Sequence, residues 1–186
     1  MKKHFPILFF LIIAWPFSGT AHIVSFRSAQ SGAWSSTSTW EQYIGSAWTT
    51  ATRTPVYGDR VIIRATHTVD LNSNLTYTGT ETHGFALLDV ALTGNLTTSG
   101  TGSSLSIVIG AADTLNVAGS MSVGCFQVLA GAIALVRAAG TITANNCPVT
   151  ISALSPPMAI NGSLTVSSPS SLNEVGNIWG SLSNPL

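Results

Sequence analysis

The sequence predicts an all-β protein, a parallel β-helix (a solenoid) of about five to six coils behind an N-terminal cap. Three observations predict it. A three-residue phrase recurs as Asn74-Leu75-Thr76, Asn95-Leu96-Thr97, Ser120-Met121-Ser122, Thr141-Ile142-Thr143 and Ser163-Leu164-Thr165, with its apolar centres 21, 25, 21 and 22 positions apart. Each copy sets one apolar residue between two small polar ones, the alternation of a strand with one face inside and one outside. A glycine stands directly before four of the five copies (Gly94, Gly119, Gly140, Gly162), marking a bend where the backbone turns or approaches closely. A unit this short cannot bury its own apolar face, so neighbouring copies must stack. Stacking predicts an inward column of Leu75, Leu96, Met121, Ile142 and Leu164. Gly180-Ser181-Leu182-Ser183 reads as a weaker sixth copy.

The elements follow in chain order. Residues 1–21 read as a secretory signal peptide: Lys2 and Lys3, an apolar run from Phe5 to Phe17, then the small residues Ser18-Gly19-Thr20-Ala21 before the cut. The apolar run is about 13 residues long and holds Pro6 and Pro16, short of the roughly 20 residues a membrane span needs. The chain is therefore expected to be secreted or held at the cell surface, with no transmembrane segment after signal cleavage. Residues 22–57 are rich in Ser and Thr and carry Trp34, Trp40 and Trp48 without sustained alternation. They are expected to cap the open end of the solenoid, since an exposed strand edge invites aggregation. The competing reading of the three tryptophans is an aromatic platform for a sugar. Residues 58–186 hold the coils, opening with the turn Gly58-Asp59 and the strand segments Arg60-Val61-Ile62-Ile63-Arg64 and Thr68-Val69-Asp70-Leu71. No segment reads as a capped helix.

Composition narrows the function classes. Charged residues make up 8% of the chain against a typical quarter, while 45% are hydrophobic, which argues against a disordered stalk. Without Lys2 and Lys3, five arginines face seven carboxylates, a formal charge of −2. No basic run is present, so nucleic acid is not expected as a partner. Cys125 and Cys147 lie one repeat apart. Stacked coils are about 4.8 Å apart, within disulfide reach, and an exported protein meets oxidising conditions. A Cys125–Cys147 bridge is therefore expected, contributing about 3 kcal/mol by the chain-entropy account.

Candidate chemistry is sparse. Asp70, Asp89 and Asp113 stand 5, 7 and 8 residues before their repeat's apolar centre, drifting out of register instead of clustering. Arg137 is the only basic residue after Arg64. No two acids have the register for paired-carboxylate hydrolysis. His22, His67 and His83 lack metal-ligand spacing, so no metal, cofactor or catalytic residue is expected. The residues flanking each apolar centre predict two outward columns: Asn74, Asn95, Ser120, Thr141 and Ser163, and Thr76, Thr97, Ser122, Thr143 and Thr165. The ligand-binding candidates are thus Trp34, Trp40 and Trp48 for a glycan, and Thr76, Thr97, Thr143 and Thr165 for ordered water. The second set is what an ice-binding solenoid would use; a solvated sheet face needs the same residue types.

The segment Ser31-Gly32-Ala33-Trp34-Ser35-Ser36-Thr37-Ser38-Thr39-Trp40, with Pro55, Gly58-Asp59-Arg60-Val61-Ile62-Ile63 and His67-Thr68-Val69, carries a resemblance. It resembles the opening of large secreted bacterial surface proteins built on a right-handed parallel β-helix of the pectin-lyase-like type. The resemblance implies an adhesin-like surface component, with an extracellular glycan or surface polymer as partner. Its alternative implication is a carbohydrate-active β-helix, a polysaccharide lyase or hydrolase, or a fragment of one. Uronate lyases on that fold use clustered acids to hold a metal, with a Lys or Arg base on a neighbouring coil.

Overall fold

In a computed structural model of the chain, the described residues are 23–73, 75, 85–98, 106–110, 113–144, 149–152, 158–166, 172–174 and 178–183. The expected signal peptide, His22, Asn74, Thr76, His83 and Cys147 lie outside them. The fold is all-β, with a large and mostly parallel sheet. In chain order the strands begin with β1 (Ser25–Ser28), β2 (Gly32–Ala33), a 3₁₀ turn at Thr37–Thr39, β3 (Trp40–Ile44) and β4 (Ala47–Thr50). Next come β5 (Arg60–Ile63), β6 (Thr68–Asp70), β7 (Leu87–Val90), β8 (Asn95–Thr97) and β9 (Ser106–Ile109). Then follow β10 (Thr114–Val117), β11 (Ser120–Val123), β12 (Cys125–Val128), β13 (Ile133–Val136) and β14 (Thr141–Ala144). The last are β15 (Val149–Ile151), β16 (Met158–Val166), β17 (Leu172–Glu174) and β18 (Ile178–Ser183).

These strands pair in three parallel ladders. The first runs β5-β7-β10-β13-β16, the second β6-β8-β11-β14-β16, and the third β9-β12-β15-β17. Strand β16 is continuous through Gly162, so its first half pairs with β13 and its second with β14. Burial alternates strictly along β7, β10 and β11, where every second side chain is enclosed. The enclosed residues stack in register: Val61–Leu88–Leu115–Ala134 and Ile63–Val90–Val117–Val136–Ile160 on the first ladder. Phe126 pairs with Ile107, and Val128 lies between Ile109 and Ile151 on the third. A core of aliphatic side chains in matched columns suits parallel pairing, because each rung presents the same shape to the next.

The second ladder corrects one expectation. Its inward column is Val69–Leu96–Met121–Ile142–Leu164, with Val69 where Leu75 was expected. Leu75 is only partly buried beside the core. Hydrogen-bonded register and the buried face decide pairing; spacing between similar phrases does not, because connecting segments absorb extra residues. The sixth copy does join: Leu182 pairs with Leu164 and Ser183 with Thr165.

The N-terminal segment is more regular than its composition suggests. Strand β1 pairs parallel to β5 and antiparallel to β3, and β3 forms a hairpin with β4. The hairpin turns at Gly45, whose φ of +66° is the left-handed conformation that favours glycine. Its Ser, Thr and Gln content hides the alternation. Behind it, Trp34 and Trp40 are 1% exposed and meet edge to face, with ring centroids 4.8 Å apart. The Trp34 indole N–H donates to the Pro55 carbonyl at 3.0 Å, and that of Trp40 to the Trp34 carbonyl at 2.9 Å.

Asp59 locks this segment to the first ladder. It is 3% exposed, accepts two bonds from Arg53 (2.6 and 2.8 Å), and accepts the Val56 N–H at 2.9 Å. The hydrogen bond to Asp59, more than its charge, holds the Arg53 pKa above its ordinary value against an opposing effect of burial. The guanidinium also stacks over Phe26, 4.7 Å from the ring centroid. Asp59→Asn is expected to cost about 2 kcal/mol, because a buried site built for a carboxylate loses its charge-assisted bonds. Urea unfolding of the two proteins side by side checks this.

Candidate functional site

Among the described residues the inward positions are occupied by a hydrophobic core, so the candidate groups are those of the outward columns. On the second ladder these are Thr68, Asn95, Ser120, Thr141 and Ser163, and Asp70, Thr97, Ser122, Thr143 and Thr165. The expected columns therefore hold from the second rung onward, and Thr68 and Asp70 head them. Asn74 and Thr76 are outside the described residues. The first column bonds along itself: Asn95 Nδ2 donates to Thr68 Oγ1 at 3.4 Å, and Ser120 Oγ donates to Asn95 Oδ1. Polar groups satisfied along a ladder stabilise the face and are withdrawn from a ligand. Thr97, Thr143 and Thr165 are half-buried on the other column. Replacing Thr97 and Thr143 by leucine would remove thermal hysteresis if this face orders ice.

Asp70, Asp89 and Asp113 sit apart, on different elements. Asp70 ends β6, Asp89 lies within β7, and Asp113 precedes β10 and accepts the Gly110 N–H at 2.9 Å. Asp89 is nevertheless tied to Arg137. Its Oδ1 accepts from Asn116 Nδ2 at 2.6 Å, and Asn116 Oδ1 accepts from Arg137 Nε at 2.8 Å. This line crosses β7, β10 and the end of β13. His67 Nδ1 bonds the Ser28 hydroxyl at 2.8 Å, and that oxygen accepts the Arg64 N–H at 2.9 Å. Among the described residues no group of three or more His, Cys, Asp or Glu could hold a metal ion.

The aromatic candidates divide. Trp34 and Trp40 offer no ring face to a ligand: both are enclosed, both indole N–H groups are satisfied, and Trp34 also packs on Phe85 at 5.5 Å. They are core residues, which corrects their place among the binding candidates. A buried indole stabilises through its large apolar area, and the structure uses both that way. Trp48 is different. It lies on the outer face of β4, half-buried, opposite Tyr43 with ring centroids 5.2 Å apart. The Arg27 guanidinium sits 4.4 Å from the Trp48 ring centroid, and its Nε donates to Glu41 Oε2 at 2.6 Å.

Arginines that are scattered in the sequence are spread along one face of the sheet. Arg27 on β1, Arg60 on β5, Arg64 just after it and Arg137 just after β13 all belong to the outer face of the first ladder and its N-terminal extension. They are four of the five arginines in the chain. Arg60 and Arg64 flank the enclosed pair Val61 and Ile63 and are exposed. In sequence Arg60 and Arg64 only bracket the apolar run Val61-Ile62-Ile63, and it is the pairing of β1 with both β5 and β3 that brings Arg27 and Tyr43 to the same face as Arg60. Cys125 opens β12 and is enclosed. No cysteine among the described residues is free.

No family model matches the chain, and no curated protein and no solved structure matches it. Among the described residues no helix is long and apolar enough to cross a membrane.

Proposed function

We propose that the chain is a right-handed parallel β-helix of the pectin-lyase-like type, exported by residues 1–21. It acts outside the cell or at its surface as a non-enzymatic adhesin or structural module that holds a glycan or surface polymer. The observation that carries the reading is the strand order. The series β7-β8-β9, β10-β11-β12 and β13-β14-β15 each supply one strand to each ladder in turn. A chain that visits three ladders cyclically presents long, rigid outer faces with side chains at a rung spacing of about 4.8 Å, suited to an extended polymer. On those faces Arg27, Glu41, Asp89 and Arg137 are engaged in structural bonds, while Arg60 and Arg64 are exposed without an ion pair among the described residues, which supports binding over catalysis.

A glycan array probed with the exported chain tests this reading, and binding to at least one saccharide class is the expected result. The Asp89–Asn116–Arg137 line favours one alternative, a carbohydrate-active β-helix. Metal-dependent cleavage of an acidic polysaccharide, lost in Asp89→Ala or Arg137→Ala, would replace the proposal with that reading.

A Cys125–Cys147 disulfide belongs to the same proposal. Gln127 of β12 pairs with Thr150 of β15, and in the sequence Cys125 opens the first of these strands while Cys147 stands two residues before the second. Non-reducing mass spectrometry of the exported protein is expected to find one bridge and no alkylatable thiol. Removing it should cost about 3 kcal/mol.

A further inference from the structure

Within the proposed polymer-holding role, we infer that the outer face over Ser25, between Tyr43 and Arg60, binds an acidic saccharide, one bearing carboxylate or sulfate groups. The register Phe26 to Gln42 continues one step to bring Ser25 beside Tyr43, and Ser25 pairs with Arg60 on its other side. Two strand spacings separate the backbones of Tyr43 and Arg60, about 10 Å. Ser25 between them is small and half-buried, so it forms a low floor flanked by an aromatic ring and a guanidinium.

Each wall is exposed. Tyr43 is 45% exposed and meets the Trp48 ring of β4 at 5.2 Å. A flat ring with a negative π face suits the C–H-bearing face of a sugar ring. Arg60 is exposed, and among the described residues it makes no ion pair. Arg64, further along the same face, is likewise exposed and makes no ion pair among them. Of the carboxylates on this side, Glu41 is paired with Arg27, and Asp89, opposite Ile62 on the neighbouring strand, is hydrogen-bonded to Asn116. The face therefore holds two exposed guanidinium groups without an ion pair among the described residues, the nearer of them across Ser25 from an exposed aromatic ring, in a chain that is net acidic once Lys2 and Lys3 are removed. A guanidinium binds carboxylate and sulfate with paired hydrogen bonds, which gives orientation as well as attraction. The Arg27 clamp on Trp48 and Glu41 holds the neighbouring surface rigid, which lowers the ordering cost of binding.

The test measures binding of the exported chain to dextran sulfate, alginate, uncharged dextran and an oligothymidylate by biolayer interferometry, at low and high salt. Expected is binding to dextran sulfate or alginate, weakened by salt, with no binding to dextran. Arg60→Glu, Arg64→Glu and Tyr43→Ala should each weaken it about tenfold or more, with unchanged thermal unfolding, while Thr143→Ala binds as wild type. If the acidic polymers bind but all three variants behave as wild type, this site is wrong and the glycan-holding role stands. If Tyr43→Ala alone has no effect, or dextran binds equally, a saccharide-specific acidic site is overturned. Tighter binding of the oligothymidylate would make the ligand a nucleic acid and overturn the inference. If no polymer binds, both the site and the wider role fall.

Discussion

Replacing Gly119 by valine is expected to lower stability by about 3 kcal/mol or more, read as a fall of roughly 6–12 °C in the unfolding midpoint. The four glycines before the repeated phrase form a column at the bend between the first and second ladders. A Cβ at Gly119 would collide with the carbonyl oxygens of Gly94 and Ala91, and one at Gly162 with those of Gly140 and Arg137. At Gly94 the Arg64 carbonyl oxygen would stand 2.8 Å away. These obstacles are backbone atoms, which cannot swing aside as a flexible side chain would. The same carbonyls carry the ladder across the bend. Gly94 O accepts Ser120 N–H at 2.9 Å, Gly119 O accepts Thr141 N–H at 2.9 Å, and Gly140 O accepts Ser163 N–H at 3.0 Å. A side chain there therefore pushes neighbouring strands apart and removes a bond that each segment gives the next. Gly45, with nothing within 4 Å of an added Cβ, is the contrast: its substitution costs only the strain of a positive φ. Circular dichroism melts of Gly119→Val and Gly45→Ala separate the two mechanisms. Equal, small shifts would show that the bends can open.

Trp34→Ala is expected to cost about 4 kcal/mol, the range for emptying a buried aromatic site. The indole fills the space between Trp40 and Phe85, and Tyr57 packs on the far side of Phe85 at 5.0 Å. Its loss also leaves the Pro55 carbonyl without its donor. Trp34→Phe refills part of the volume but not the hydrogen bond, so about 2 kcal/mol should remain lost. Trp48→Ala removes a half-buried ring from the outer face and should cost about 1 kcal/mol or less. Chemical denaturation of the three variants tests whether the first tryptophan is core and the third is surface. Comparable losses at positions 34 and 48 would contradict that division.

Much of the fold was legible because the repeated phrase is short, glycine-led and strictly alternating. Leu96, Met121, Ile142 and Leu164 are inside for the reason the pattern states: small polar neighbours on both sides leave only one face to bury. Leu75 failed the same pattern, since the phrase Asn74-Leu75-Thr76 resembles the others while the hydrogen-bonded rung is Thr68-Val69-Asp70. Local similarity carries no information about which residues the neighbouring strand's backbone can reach. The hairpin of β3 and β4 was hidden for a related reason. Its strands are antiparallel additions at the sheet edge, with one face in water and little apolar alternation to reveal them.

The candidate site was the least legible part. Trp34, Trp40 and Trp48 lie close together and look alike in sequence, yet two are core and one is surface. Chain position does not encode the side of the sheet on which a ring emerges once turns intervene. Arg27 and Arg60 are far apart in the chain, and Tyr43 lies between them on an antiparallel strand. Only the pairing of β1 with both β3 and β5 turns those three positions into one face.

Local pattern was enough to establish the β class, the repeat, the glycine bends and the inward aliphatic residues from Leu96 onward. All of these follow from short-range alternation and from the steric demand of a residue without a Cβ, which act over a few positions. Folding in three dimensions had to settle which rung begins the column, which tryptophans are enclosed, and which arginines meet an aromatic ring. Those depend on register between strands distant in the chain, fixed by backbone hydrogen bonds and collective burial that no local pattern carries.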